Sequence, residues 1–326
     1  MDPESDAVTM VARVARAVPP ASGAVVMGTG IVSIDLFNGG HHALSLAPLV
    51  VAACAWLLLG LLLGGRFRFD RGRFEREATS PAALTGVAGT AVLGTRLSLL
   101  GWQWAGVSLL IIATVLWGGL LRSVLRHWMA PTVGASFVLV VSTESLAVLA
   151  ATLGMSEHAA WLIVVALVPL TLGLPFYVFV AARFDAGQLI RGRGDHWVAG
   201  GALAISALAC ARVTQGAETL AVLGPAHEAL KVATLVVWVA AMCWLPVLVV
   251  VEFVAPRLAY DVRRWSTVFP VGMYAACSFA AGTVLGTSPI VAFARIWSWI
   301  AFAVWLVVFA AMLWQTVPLL RATPTP

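Results

Sequence analysis

The stretch ALSLAPLVVAACAWLLLGLLLGGRFRFDRGRFER, residues 43–76, decides the class of fold. Its first 23 residues carry no charge, and its last 11 contain five arginines. An α-helix needs about 20 apolar residues to cross the hydrocarbon core of a bilayer, and arginines just beyond such a helix hold that end on the cytoplasmic side. The stretch therefore predicts a membrane span whose C-terminal end is cytoplasmic.

The same pattern recurs along the whole chain. Hydrophobic residues make up 61% of the sequence and charged residues 11%, which is typical of a polytopic membrane protein and not of a soluble domain. We predict an all-α integral membrane domain over residues 21–318, between an N-terminal tail (1–20) and a C-terminal tail (319–326). Its ten predicted transmembrane helices are residues 21–38, 43–65, 81–100, 102–122, 131–154, 158–183, 196–215, 229–251, 265–287 and 290–318.

The basic residues set the predicted orientation. Sixteen of the 20 lie in the tails or after even-numbered spans, and Arg96, Arg212, Lys231 and Arg295 belong to the other side. Both termini are therefore predicted to be cytoplasmic, in a multi-pass protein of the plasma (inner) membrane. Three acids ahead of a weak apolar stripe suit a short interfacial helix in the N-terminal tail. The basic loops lie beside the membrane, so we expect lipid headgroups and no nucleic acid as their partner.

Odd and even spans differ in bulk. Even spans and their ends hold 12 of the 14 tryptophans, whereas odd spans carry small residues at helical spacing, such as Gly200, Ala204, Ala207 and Ala211. Close packing alone explains such a stripe on any single helix. Five helices of this kind alternating with five bulky ones favour five helical hairpins around a central pore, with the odd spans inside.

Three ionisable residues lie near the predicted outer ends of odd spans, where each is energetically costly. Asp35, Arg96 and Arg212 are about fifteen residues into their spans, and a rise of 1.5 Å per residue puts them at similar depth. One interpretation is an anion-attracting vestibule formed by Arg96 and Arg212. The other is an Asp35–Arg96 ion pair, with Arg212 extending to water.

An acidic residue lies near the middle of span five. Glu144 shares one helical face with Phe137 and Val141, at spacings of i, i+4 and i+7. A carboxyl group there could couple transport to protons, because it would be protonated when buried and released when exposed. It could equally be a structural group satisfied by neighbouring hydroxyls or by an arginine.

Cofactor and enzyme chemistry have little support. The six histidines lie at span ends or in loops, and the four cysteines are scattered through apolar spans, so no haem or metal cofactor is expected. No catalytic motif or phosphate-binding loop is present either. In span nine, Phe269 precedes the helix-kinking Pro270 on an otherwise small face. It could be a gate, although core packing is the simpler interpretation.

Three motifs carry a family resemblance. Met27-Gly28-Thr29-Gly30-Ile31-Val32-Ser33, the run from His196-Trp197 to Ser206, and Trp265-Ser266-Thr267-Val268-Phe269-Pro270 resemble signatures of the tellurite-resistance/dicarboxylate transporter family. That family includes bacterial tellurite-resistance proteins, fungal malate permeases and sulfite efflux pumps, and plant slow anion channels. The resemblance implies five hairpins around a pore, a homotrimer in the membrane, and occlusion of the pore by Phe269.

We therefore predict an anion channel or transporter for small inorganic anions (sulfite, nitrate, chloride) or C4-dicarboxylates such as malate. One alternative is a proton-coupled C4-dicarboxylate carrier that uses Glu144, and another is a membrane enzyme or sensory scaffold. The predicted site is a gate at Phe269 and a vestibule of Arg96 and Arg212. The predicted pore-lining residues are Gly28, Thr29, Gly30, Ser33, Gly86, Thr90, Phe137, Val141, Gly200, Ala204, Gly272, Ala276 and Thr283.

Overall fold

The structure is a computed structural model that describes residues 19–257 and 259–321. The predicted interfacial helix of the N-terminal tail lies outside the described residues, as does the C-terminal tail from residue 322 onward. The described residues form helices and no β-strand. The all-helical prediction is thus confirmed for this part of the chain.

Twelve α-helices are numbered here in chain order. Two of them are short and join longer ones: α3 (Arg71–Glu77) and α8 (Gln188–Arg191). The other ten are α1 (Gly23–Asn38), α2 (His42–Phe69), α4 (Thr85–Leu99), α5 (Gln103–Arg126), α6 (Val138–Ser156), α7 (Ala160–Ala181), α9 (Val198–Thr219), α10 (Ala226–Val254), α11 (Trp265–Val284) and α12 (Ser288–Arg321).

Among the described residues, nine helical segments are long and apolar enough to cross a membrane. The remaining apolar helix, α1, has 16 residues, which is short of the about 20 that a perpendicular crossing requires. An integral membrane α-protein is therefore established, and a tenth span stays a prediction. The helices α2, α10 and α12 extend beyond the predicted boundaries because charged or polar residues continue each helix past the apolar core.

Burial divides these helices into two classes. In the most apolar window of α4, α6, α9 and α11, together with the 3₁₀ turns that precede them, 72–100% of residues are buried. The corresponding share in α2, α5, α7, α10 and α12 is only 17–28%. Helix α1 has 13 of its 16 residues buried and belongs to the first class. We call these two classes the inner helices (α1, α4, α6, α9, α11) and the outer helices (α2, α5, α7, α10, α12).

Contacts between the inner helices close a ring. In order around it, α1 packs on α4, α4 on α6, α6 on α9, α9 on α11, and α11 returns to α1. Each outer helix packs on the inner helix before it in sequence and also contacts the next inner helix. Each inner helix begins with a 3₁₀ turn, at Pro20–Ser22, Pro81–Leu84, Gly134–Phe137, Asp195–Trp197 and Val262–Arg264. The described chain therefore repeats one structural unit five times.

Glycines set how closely the inner helices approach. A Cβ atom built on Gly23 would lie 2.6 Å from the backbone nitrogen of Gly86, so α1 and α4 meet backbone to backbone. A Cβ on Gly201 would lie 2.7 Å from the Pro270 ring, which holds α9 against α11. Such contacts replace the hydrophobic driving force that is missing between helices in lipid.

Indole groups of the outer helices bond to hydroxyl groups of the inner helices. Each of these bonds runs from an outer helix to the next inner helix around the ring. The four donor–acceptor pairs, with N–O distances in Å, are Trp56 Nε1 to Thr90 Oγ1 (2.9), Trp117 Nε1 to Thr143 Oγ1 (2.9), Trp238 Nε1 to Ser278 Oγ (2.9) and Trp305 Nε1 to Thr29 Oγ1 (3.1). They orient the outer layer on the ring, since an indole N–H has few other acceptors inside a membrane.

We expect Thr143→Val to lower the thermal unfolding midpoint of the detergent-solubilised protein. The isosteric valine leaves the Trp117 indole without its acceptor, which costs about 1 kcal/mol. Thr171→Val on α7 is the matched control, because that exposed hydroxyl donates only to carbonyl groups of its own helix. Equal midpoints for the two variants would contradict a stabilising role for the indole bonds.

Candidate functional site

A narrow cavity lies on the axis of the inner ring, and all five inner helices line it. Its volume of about 20 Å³ is room for roughly one water molecule. The lining residues come from the middle and C-terminal parts of the inner helices. They are Ile31, Ile34, Asn38, Val92, Thr95, Ser145, Val148, Ile205, Leu208, Arg212, Met273 and Ala276. We call this space the axial cavity.

Arg212 is the one charged residue in the lining of the axial cavity. Its Nη1 donates to Gln215 Oε1 at 3.1 Å, and its Nε has no hydrogen-bond partner among the described residues. Within that part of the chain it also forms no ion pair. With Asn38, the last residue of α1, it lies toward the C-terminal ends of the inner helices. An uncompensated guanidinium beside a mostly apolar wall attracts anions.

Phe269 lies on α11 and is fully buried. Met273 and Ala276, which line the axial cavity, are four and seven residues further along the same helix. That spacing puts Phe269 on the same helical face, one turn toward the N-terminal end from Met273. Phe269 is therefore one turn beyond the cavity lining, on the side of the arginine-rich loops, and is not itself part of that lining.

The structure does not place Arg96 at a vestibule. Its side chain is fully buried between α1, α2 and α4, where Nε donates to Ser33 Oγ at 2.9 Å and Nη2 to Ser45 Oγ at 2.8 Å. Its guanidinium carbon lies 4.4 Å from the centre of the Phe37 ring. Ser33 in turn donates to the Ser45 carbonyl at 2.7 Å, so it faces α2 as well. Two hydroxyl groups and a ring face offset part of the cost of burying Arg96, although its Nη1 has no hydrogen-bond partner among the described residues. The side chain lies outside the lining of the axial cavity.

The alternative ion pair between Asp35 and Arg96 is also not formed within the described part of the chain. Both carboxyl oxygens of Asp35 are buried and have no hydrogen-bond partner among those residues. The side chain points toward α11, where a Cβ atom built on Gly272 would lie 3.1 Å from Asp35 Oδ2. Asp35 and Arg96 are similarly far along their helices, but their side chains face different neighbouring helices.

Glu144 faces an outer helix. Its carboxyl group packs so closely on α7 that a Cβ atom at Gly173 would lie 2.2 Å from Glu144 Oε1. Neither oxygen makes a hydrogen bond of full geometry among the residues the structure describes, although the Ser206 hydroxyl of α9 lies close enough to interact with the carboxyl group. The next residue, Ser145, lines the axial cavity, and Glu144 itself does not. Phe137, predicted on the same face, likewise contacts the outer layer, with its ring centre 5.4 Å from that of Tyr177.

Most other predicted pore-lining residues lie in contacts between helices. Thr29 and Thr90 accept the indole bonds described above, and Thr90 also lines a second cavity with Gly86. Thr283 is exposed beyond the axial cavity and donates to the Phe279 carbonyl. The glycines face neighbouring helices: Gly28 faces Val268, Gly30 faces Val92, Gly200 faces Tyr274 and Gly272 faces Ile31. Val141 and Ala204 are fully buried outside the cavity lining, whereas Ala276 belongs to it.

The prediction missed the aliphatic residues of the lining. Small residues mark places where helices touch, and medium-sized side chains surround the space that remains. A usable signal was present on α9, because Ile205 and Leu208 precede Arg212 at helical spacing on one face. On α1, Ile31 and Ile34 precede the polar residue Asn38 at the same helical spacing, so the same signal would have identified them.

Comparison with known proteins identifies the family of the chain. The family model of the voltage-dependent anion channel SLAC1 matches residues 17–313. Two relatives are uncharacterized membrane proteins from Mycobacterium tuberculosis, strains CDC 1551 / Oshkosh and ATCC 25618 / H37Rv. Each is 33% identical over 124 residues, which is 36% of this chain and 62% of the relative, so the match spans less than two thirds of those proteins.

The resemblance inferred from the three motifs is confirmed by the family match, which covers every inner and outer helix to residue 313. This chain belongs to the voltage-dependent anion channel family SLAC1.

Proposed function

We propose that the protein is a passive channel for small inorganic anions, such as chloride, nitrate or sulfite, and that Phe269 closes its pore. Membership of an anion-channel family makes it a membrane anion channel or transporter. The observation that carries the finer proposal is the axial cavity, to which every inner helix contributes and in which Arg212 is the charged residue.

The chemistry of the cavity favours throughput over tight binding. Eight of its lining residues are apolar, and Asn38, Thr95 and Ser145 supply the neutral polar groups. A wall of this kind offers an anion few partners, so bound ions leave easily. The small volume favours a compact inorganic anion over a C4-dicarboxylate, whose two carboxylates would both have to lose their hydration in a narrow apolar space.

The proposed architecture places the described ring of inner helices in the membrane and gives it an orientation. Ten spans would form five hairpins around the pore, with both termini cytoplasmic in the plasma membrane. Arginine-rich loops precede α4, α6, α9 and α11, which supports cytoplasmic N-terminal ends for the inner helices. The axial cavity would then open outward, and Phe269 would separate it from the cytoplasm. A homotrimer is proposed on the family resemblance alone.

The purified wild-type protein in proteoliposomes should conduct chloride, nitrate or sulfite with little dependence on an imposed pH gradient. Malate flux should be much smaller, because the axial cavity is narrow and apolar. Flux of purified protein in a defined bilayer would also eliminate the enzyme or scaffold alternative. Absence of anion flux for all four ions would overturn the proposed function.

Phe269→Ala should raise anion conductance by at least ten-fold, because it removes the bulky side chain that is one turn beyond the axial cavity on the same face of α11. The measurement is single-channel or macroscopic current in planar bilayers. Phe279→Ala provides a control on the same helix, since Phe279 lies outside the lining of the axial cavity. Equal conductance of wild type and Phe269→Ala would remove the gate assignment.

Arg212→Gln should reduce anion conductance several-fold and weaken selectivity for anions over cations, because the axial cavity loses its positive charge. Arg295→Gln is the matched control. Arg295 is an exposed arginine near the start of outer helix α12, at an end predicted to lie on the same side of the membrane. The assignment of Arg212 fails if both variants change the reversal potential equally.

Proton coupling through Glu144 is the competing mechanism, and the geometry speaks against it. The carboxyl packs on Gly173 of an outer helix, so protonation there does not add or remove charge at the cavity wall. We expect Glu144→Gln to leave anion flux and its pH dependence unchanged. Uptake that follows a proton gradient in wild type and is lost in Glu144→Gln would establish a coupled carrier instead.

A further inference from the structure

A second and larger cavity lies outside the ring, where α1, α2, α4 and α5 meet the short helix α3. Its volume is about 370 Å³, within the range of pockets that hold small molecules. The wall is apolar, with residues such as Leu63, Val87 and Leu116. Ile112 and Leu116 on α5 are also 38% and 41% exposed, so the cavity is open sideways at the surface that faces lipid. We call it the lateral cavity.

Missing side chains create this space. Cβ atoms built on Gly60 and Gly64 of α2, or on Gly86 of α4, would meet no other atom within 4 Å. All three glycines line the lateral cavity. They differ in this respect from Gly23, which also lines the cavity but is in backbone contact with a neighbouring helix. A groove of glycines next to leucines accepts a flexible hydrocarbon chain without rearrangement of the helices.

The end of the lateral cavity at α3 is basic. Residues 66–77 hold five arginines and three acids. Glu77 lines the cavity, and its carboxylate is held by Arg66 Nη1 at 2.6 Å and Arg73 Nε at 2.8 Å, so its negative charge is neutralised. Arg68 and Arg76 are exposed and form no ion pair within the described residues. Their sequence neighbours Phe67 and Glu77 line the cavity, so both arginines are one residue from its lining.

We propose that the lateral cavity binds an anionic phospholipid from the bilayer leaflet on the side of the arginine-rich loops. One acyl chain fills the groove along Gly60, Gly64 and Gly86, and the headgroup phosphate binds at Arg68 and Arg76. An apolar slot that opens to the bilayer and ends at unpaired arginines matches both parts of such a molecule. This site is distinct from the axial cavity, and its existence does not depend on the proposed conduction.

Native mass spectrometry of the purified full-length chain tests the site. The protein is stripped of lipid in detergent and then titrated with phosphatidylglycerol or phosphatidylcholine. We expect one tightly bound phosphatidylglycerol per chain, with at least five-fold weaker binding of phosphatidylcholine. Gly60→Leu/Gly64→Leu should fill the groove and reduce binding of both lipids at least five-fold. Arg68→Gln/Arg76→Gln should weaken phosphatidylglycerol binding more than phosphatidylcholine binding, because the choline cation already offsets the phosphate charge, and should therefore remove the preference for phosphatidylglycerol.

Matched controls separate the site from general effects. Gly118→Leu/Gly119→Leu adds the same bulk to outer helix α5 at two open positions outside the lateral cavity, and Arg183→Gln removes an exposed arginine after α7. Neither control should change lipid binding. Because the arginine variants add no bulk, they test the headgroup site even if the leucine variant fails to fold.

Three results would overturn the proposal. Equal lipid binding by wild type and the Gly60→Leu/Gly64→Leu variant would place the bound lipid elsewhere. A disulfide formed between two copies of Gly60→Cys, with loss of lipid binding, would assign the groove to contact between protomers. Binding that occurs only after deletion of residues 2–18 would assign it to the N-terminal segment, which joins the described chain at the cavity residue Pro19.

Discussion

The absence of water in the bilayer core is the constraint on which the rest of the structure depends. Every backbone N–H and C=O there must be bonded within the protein, so the chain crosses as helices and a conduit can exist only between them. Because lipid tails are as apolar as leucine, helices hold together by close contact and by buried polar bonds. Close contact is seen in the inner ring at Gly23, which meets a neighbouring backbone, and at Gly201, which packs on Pro270.

The indole–hydroxyl bonds are buried polar bonds of this kind. Their distribution among the outer helices bears on the position of the buried Glu144 carboxyl group. Four outer helices, α2, α5, α10 and α12, each donate such a bond to the next inner helix. Within the described residues α7 donates none, because its tryptophan, Trp161, is 65% exposed near the start of the helix. Midway along α7 lies Gly173, and the space that it leaves is filled by the carboxyl group of Glu144. The buried acid therefore sits at the interface that lacks the indole bond of the other four.

Arg96 and Arg212 were predicted at similar depth in the membrane, but packing gives their side chains different surroundings. Arg96 is surrounded by two serine hydroxyls and the Phe37 ring, whereas Arg212 faces the axial cavity with Gln215 as its partner. Arg96 faces α1 and α2 outside the cavity lining, although its Nη1 has no hydrogen-bond partner among the described residues, whereas Arg212 is part of the lining and acts directly on an ion in the axial cavity. The two positions look alike as isolated residues on a helix.

The sequence by itself determined the fold class, the alternation of buried and exposed helices, and the family. These follow from apolar length, arginine position, tryptophan distribution and short motifs, all of which act along one helix at a time. Only the tertiary structure decided which residues line the cavity and which charges are free. Thr29, Thr90 and Gly200 are residue types expected in a pore wall, yet they face neighbouring helices. The rotation of each helix about its own axis depends on contacts with two or three neighbours at once, and no stretch of sequence records that rotation.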